Sequence, residues 1–149
     1  MNRLIATVIA GLLAAPVLAD GHAAGDAEAG AKEFNKCKSC HMIVDADGAE
    51  IVKGGRTGPN LWGIVGRQAG TIEGFRYGDD LVAAGEAGLI WDEANFVSYV
   101  EDPRAFLRTY LDDNSARSKM TFKLRKGGAD VWAYLASVSP APEATEATN

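Results

Sequence analysis

The stretch "NKCKSCHM", residues 35–42, contains both cysteines of the chain and one of its two histidines. Two residues separate Cys37 from Cys40, and His41 follows directly. Cysteines at this spacing occur in four kinds of site: a thioredoxin-like redox pair, part of a zinc site, a disulfide, and a covalent haem attachment. The sequence on either side of the stretch discriminates among them.

The surroundings of the cysteine pair disfavour three of these sites. A thioredoxin-like pair lies in a βαβ frame, whereas here a helical pattern precedes the pair and a glycine-rich stretch follows it. A structural zinc site needs four ligands, and only His22 could join Cys37, Cys40 and His41. A disulfide would leave the adjacent histidine and the glycine-rich stretch unexplained.

The pattern C-x-x-C-H is typical of covalent haem, because the two sulfurs bind the vinyl groups and the histidine lies under the iron. We therefore predict one haem c, attached through Cys37 and Cys40, with His41 as an iron ligand. Residues 42–89 contain eleven glycines and little periodicity, and a porphyrin would supply the apolar surface on which such loops fold. A haem-free disulfide protein is the alternative.

The second iron ligand is identified by elimination. Once residues 1–19 are removed as predicted below, only Met42 and Met120 remain, and Met42 adjoins His41 too closely to reach the opposite face of the ring. Met120 can reach it, while Lys119 at high pH and an empty site are the alternatives. Histidine and methionine together fill both axial positions, which favours electron transfer over catalysis. An empty position would instead indicate a gas sensor or a peroxidase-like protein.

The N-terminal residues have the pattern of a secretory signal peptide. Arg3 gives a positive start, residues 4–15 form an uncharged run of twelve, and Val17 and Ala19 occupy the small-residue positions of a cleavage site. The run is too short to span a bilayer, which needs about 20 residues. We expect cleavage after Ala19 and a periplasmic location.

The remaining chain has the length of one domain. We expect residues 20–25 to form a flexible lead-in, residues 26–139 the domain, and residues 140–149, which are rich in Pro, Ala and Glu, a disordered tail. Without Arg3 the chain has 14 basic and 20 acidic residues, a formal charge of −6. Such an acidic balance argues against nucleic acid as a partner.

Helix signals lie at both ends of the domain and predict an all-α fold. Asp26 and Asp92 are N-cap residues, and Asp102 followed by Pro103 predicts another helix start. Residues 79–85 fit a short helix, and residues 129–138 have the apolar spacing of an amphipathic terminal helix. Within the first helix a glycine at position 30 predicts close approach of another element.

The order of helix, "CKSCH", "TGPNLWGIVGR", tryptophan, tyrosine, "SKM" and terminal helix resembles class I c-type cytochromes, most of all the bacterial c2 and c-550 type. The resemblance covers residues 26–139. It implies a small cytochrome c fold and a soluble monomer that is not an enzyme. Such a protein carries single electrons from a quinol–cytochrome c reductase to a terminal oxidase, a photosynthetic reaction centre or another reductase, in respiration or photosynthesis.

The resemblance also implies roles for individual residues. Gly30 and Phe34 would meet the terminal helix around Val131 and Tyr134. The Pro59 carbonyl would accept the proximal imidazole N–H, and the Tyr99 side chain would lie near the methionine sulfur. Three side chains would lie beside the haem propionates: Arg67, Tyr77 and Trp91. The chain differs from shorter relatives at residues 108–117, where it is longer and lacks a Pro-Gly turn before the ligand.

Basic residues cluster next to both predicted iron ligands. Residues 117–126 contain five basic and no acidic residues, so the rest of the chain without its signal peptide carries −11. Residues 32–38 contain three lysines and one glutamate. We expect these segments to steer the haem edge toward acidic partners rather than to be an ordinary solvated face. The predicted docking residues are Lys32, Lys36, Lys119, Lys123, Arg125 and Lys126.

Overall fold

The computed structural model describes residues 24–139, in which helices dominate and confirm the all-α prediction. The predicted signal peptide, His22 and the predicted tail lie outside the described residues. The described α-helices are α1 Ala27–Glu33, α2 Asp79–Glu86, α3 Glu93–Glu101, α4 Pro103–Tyr110 and α5 Gly128–Val138, and a 3-10 helix, Phe34–Lys36, follows α1.

Aspartate side chains cap the N-termini of three of these helices, as predicted. Asp26 accepts hydrogen bonds from two backbone N–H groups of α1, at 2.8 and 3.1 Å. Asp92 accepts one at 2.7 Å from α3, and Asp102 accepts one at 3.1 Å from α4, where Pro103 is the first residue. Each such cap stabilises its helix by about 1 kcal/mol.

The first and last helices pack closely through a glycine. A Cβ atom at Gly30 would lie only 1.9 Å from the Asp130 backbone oxygen, so no larger residue fits without movement of α5. One turn on, the rings of Phe34 and Tyr134 meet with centroids 5.7 Å apart. The predicted close approach at Gly30 is therefore confirmed. It fixes the helix that leads into the cysteine pair.

A short hairpin interrupts the stretch that the sequence analysis expected to be loops. The strands β1 Ile43–Val44 and β2 Glu50–Val52 pair antiparallel, with Ile43 opposite Val52. Gly48 has a φ of +84° and supplies the left-handed conformation needed in the turn. Strands of two and three residues are too short for an alternating pattern, although the β-branched pairs flanking "DADGAE" were a usable signal.

The remaining loops pack on a core shared with the helices. Leu61, Ile64 and Ala69 are buried in the glycine-rich part, and α2 lies close because Gly85 has no side chain to clash with the Ala69 carbonyl. No helix between residues 24 and 139 combines the length and the apolar character required to cross a membrane. The packing leaves a large cavity beside the cysteine pair.

Substitution of Gly30 by alanine should destabilise the haem-loaded protein by about 2 kcal/mol, because overpacking outweighs the gain in helix propensity. Ala31→Gly is the matched control, since Ala31 is exposed on the same helix and should lose only about 1 kcal/mol. Denaturant unfolding of both variants measures the two free energies. A Gly30→Ala variant more stable than the parent would contradict the close-packing interpretation.

Candidate haem site

A cavity of about 400 Å³ opens beside the cysteine pair. Its walls contain every residue that the sequence analysis assigned to the haem: Cys37, Cys40, His41, Pro59, Arg67, Tyr77, Trp91, Tyr99 and Met120. These residues come from seven separate places in the chain. The fold therefore brings together side chains that are up to 83 positions apart in sequence.

The two cysteines are free thiols in different environments. Burial raises the pKa of the Cys37 thiol to about 11, and the nearby Glu33 carboxylate adds to the increase. Cys40 is exposed, and hydrogen bonds from Thr57 and then Ser39 lower the pKa of its thiol. The structure gives no support to the disulfide alternative, and both sulfurs line the cavity.

The His41 ring is held in one orientation. Its Nδ1 lies 2.9 Å from the Pro59 carbonyl oxygen, to which it donates when that nitrogen carries the proton. Burial lowers the pKa of His41, and the hydrogen bond to Pro59 partly opposes this shift. Gly58 packs directly against the ring, and a Cβ at this position would lie 2.4–2.8 Å from three ring atoms. The result is a neutral imidazole whose Nε2 keeps a lone pair for a metal.

One cation, Arg67, lies half-buried in the wall of the cavity. The Arg67 Nη1 group donates to the Trp62 carbonyl at 2.9 Å, and burial lowers the pKa of the guanidinium, which nevertheless stays charged. Tyr77 also lines the cavity, and burial raises the pKa of its phenol. Trp91 is only 6 % exposed and packs edge-on against Tyr99 at 5.1 Å. This wall suits a ligand with carboxylate groups, because a buried cation requires a negative partner.

The half-buried Met120 completes the donor set of the cavity. Tyr99 is buried and lines the same cavity, and its hydroxyl lies 3.3 Å from the Ser118 hydroxyl. Burial raises the pKa of the Tyr99 phenol, and the contact with Ser118 partly opposes this shift. A thioether, an imidazole and two thiols around an apolar cavity fit haem c. Within residues 24–139, no three His, Cys, Asp or Glu side chains gather as a site for a metal such as zinc.

The predicted docking residues differ in their availability. Lys119 lines the cavity but its ammonium donates to the backbone carbonyls of Arg76 and Tyr77, at 3.2 and 2.8 Å. Arg125 and Lys126 are exposed and form no ion pair with any residue that the structure describes. The other three are in ion pairs: Lys32 with Glu28 at 3.0 Å, Lys36 with Glu33 at 2.5 Å and Lys123 with Asp102 at 2.5 Å.

Three exposed residues at the cavity were missed as contact residues. Arg76, Arg117 and Phe122 all line it, and Phe122 is 42 % exposed. Arg117 belongs to the basic run, which was a usable signal. Arg76 is an isolated charge in a glycine-rich loop, and nothing in its neighbours along the chain indicates that it lies at the cavity.

Comparison with known proteins identifies the family. No protein-family model matches the chain. It is 69 % identical over 140 residues to cytochrome c-551 of Roseobacter denitrificans, covering 93 % of this chain and 97 % of that protein. It is 58 % identical over 133 residues to cytochrome c2 of Rhodobacter capsulatus, covering 89 % and 93 %.

Solved structures agree with these relatives. The crystal structure of Rhodobacter capsulatus cytochrome c2 has a TM-score of 0.75 at 60 % identity, covering 76 % of this chain and 98 % of that one. Ferric cytochrome c-550 from Paracoccus versutus has a TM-score of 0.76 at 52 % identity, covering 78 % and 99 %. The chain belongs to the class I c-type cytochromes, within the bacterial cytochrome c2 and c-550 group.

Proposed function

We propose that this cytochrome carries single electrons through one haem c, with Cys37 and Cys40 as its covalent attachments and His41 and Met120 as its axial ligands. Membership of the family supports electron carriage and one covalent haem. The observation that carries the residue assignment is the cavity whose walls contain all four side chains. The Pro59 carbonyl beside His41 supports the orientation of the imidazole.

The bound haem would supply an iron centre that alternates between the ferric and ferrous states. The chain's own residues set the surroundings of that centre. Pro59 holds the His41 ring so that one nitrogen faces the cavity, and Gly58 lets the backbone approach it. Arg67 would neutralise the charge of the haem propionates, and Trp91 would keep water away from the same side.

The chain offers a side chain for each axial position, since His41 and Met120 both line the cavity. With both positions filled, oxygen or peroxide would have no place to bind, so we infer that the protein is not an enzyme. The alternative of an open sixth site, as in a gas sensor or a peroxidase, receives no support from the relatives, which are c-type cytochromes.

The partners follow from the family resemblance and the surface charges. We propose a quinol–cytochrome c reductase as donor and a terminal oxidase, photosynthetic reaction centre or soluble reductase as acceptor. The signal-peptide pattern supports a periplasmic monomer that meets these partners through small, short-lived interfaces. Arg76, Arg117, Arg125 and Lys126 are exposed cations available for contact.

Replacing Met120 by alanine should abolish the weak sulfur–iron absorption band of the ferric protein. The midpoint potential should fall by about 0.1 V or more, within the ~0.8 V range set by axial ligands. The reduced variant should also bind carbon monoxide at neutral pH. Visible spectroscopy and a redox titration measure these changes.

Met42→Ala is the matched control, because Met42 is also half-buried and adjoins His41 but does not line the cavity. It should leave the band and the potential unchanged. An unaltered ferric spectrum in Met120→Ala, or carbon monoxide binding by the parent protein, would refute axial ligation by this methionine.

The reaction rates of small redox probes can show whether the local charge at the haem edge or the net charge of −6 governs the approach of a charged partner. Oxidation of the reduced protein by ferricyanide should slow by about tenfold between 0.01 and 1 M salt, because local basic residues attract this anion. A cationic cobalt(III) complex should show the opposite trend. Stopped-flow kinetics measures both rates.

Arg76→Gln and Arg117→Gln, which remove exposed charges at the cavity, should each weaken the salt dependence, whereas Lys53→Gln should not. Lys53 is exposed and does not line the cavity, so it controls for the loss of one charge. A ferricyanide rate that rises with salt would show that the net negative charge prevails and would refute local steering.

A further inference from the structure

Four consecutive residues before Met120 are each held by a different part of the fold. We call residues 116–119 the strap. Its contacts are Ala116 O with Arg108 Nε at 3.2 Å, Arg117 N with Asp80 Oδ2 at 2.8 Å, Ser118 Oγ with Tyr99 OH at 3.3 Å, and Lys119 Nζ with the carbonyls of Arg76 and Tyr77.

The chain leading into the strap is held by short-range turns, in which Asp113 accepts hydrogen bonds from the N–H groups of Ser115 and Ala116, and these turns do not tie it to distant elements. Residues 112–115 are all exposed, and Asp112 adopts a left-handed φ of +51°. The chain has no Pro-Gly turn here, and a longer connection has more conformational freedom to lose. Contacts from other elements must therefore restrict the position of the strap.

Of the contacts made to backbone groups of the strap, the one from Asp80 lies nearest to Met120. The Asp80 carboxylate accepts a hydrogen bond from the Arg117 N–H across 37 positions of sequence. A carboxylate acceptor gives a shorter and stronger bond than a neutral one. Asp80 is half-buried in the first turn of α2, so the rigid helix fixes the position of the acceptor.

The loop before α2 reinforces this anchor. The aliphatic part of the Lys119 side chain packs over Gly78, where a Cβ would lie 3.3 Å from the lysine Cγ. The Lys119 ammonium donates to the carbonyls of Arg76 and Tyr77. Residues 76–80 thus hold the strap on both sides of Ser118. Met120 follows directly, and neither its N–H nor its carbonyl takes part in any of the backbone–backbone hydrogen bonds described between residues 24 and 139.

We propose that Asp80 is a positioning residue for Met120: by holding the Arg117 N–H it keeps the strap closed and the thioether at the iron. The proposal rests on the axial ligation by Met120 proposed above. Without Asp80 the strap should open more often, and an added ligand should compete with Met120 more effectively.

The test measures imidazole binding to the ferric haem-loaded protein at neutral pH by loss of the sulfur–iron band. Asp80→Ala should bind imidazole about fivefold more tightly, the effect of losing one partly exposed charge-assisted hydrogen bond. Asp80→Asn retains an acceptor oxygen and should have an intermediate affinity.

Asp79→Ala is the matched control. Asp79 is exposed in the same helix turn, carries the same charge, and forms no side-chain hydrogen bond among the described residues. It should leave imidazole affinity unchanged. Denaturant unfolding of both variants measures any loss of helix stability. If Asp80 only stabilised the helix, its imidazole affinity would follow the loss of stability rather than the loss of the hydrogen bond to Arg117.

Suppose the parent protein shows the sulfur–iron band and the Asp80→Ala and Asp79→Ala variants bind imidazole equally. The proposed role of Asp80 would then be wrong, while axial ligation by Met120 would stand. Absence of the band from the parent protein would instead overturn axial ligation by Met120, and the role of Asp80 with it. The two failures are therefore distinguishable from one set of spectra.

Discussion

The hydrogen bond between His41 Nδ1 and the Pro59 carbonyl is the constraint on which the site depends. It selects one tautomer of a buried imidazole and aims the other nitrogen at the cavity. Two features make it possible: Gly58 leaves room for the ring, and the Gly30 contact with α5 fixes the helix that leads to Cys37. Larger side chains at either glycine would collide with their neighbours.

The two sides of the proposed iron site are held in different ways. On the histidine side, the attachment cysteines, His41 and Pro59 lie within 23 consecutive residues and are tied by short backbone hydrogen bonds. On the methionine side, the strap is held by contacts from α2, α3, α4 and the loop before α2. The methionine side is thus the part that we propose opens more readily, because each of its anchors consists of only one or two hydrogen bonds.

The charge beside the cavity is opposite in sign to the net charge of the molecule. The chain is acidic, yet Arg76 and Arg117 stand exposed at the cavity, with Arg125 and Lys126 exposed elsewhere in the basic segment. Several predicted docking lysines are engaged with neighbours, and Lys119 serves the strap. Arginines therefore account for much of the available positive charge.

The sequence by itself determined the haem motif, three helix caps, the terminal helix and Met120 as candidate ligand, because each depends on residues close together in the chain or on simple elimination. Tertiary structure alone revealed Arg76 at the cavity and the hydrogen bond that the Arg117 N–H donates to Asp80. Such partners meet only when distant segments pack, and the spacing of residues along the chain carries no trace of a contact across 37 positions.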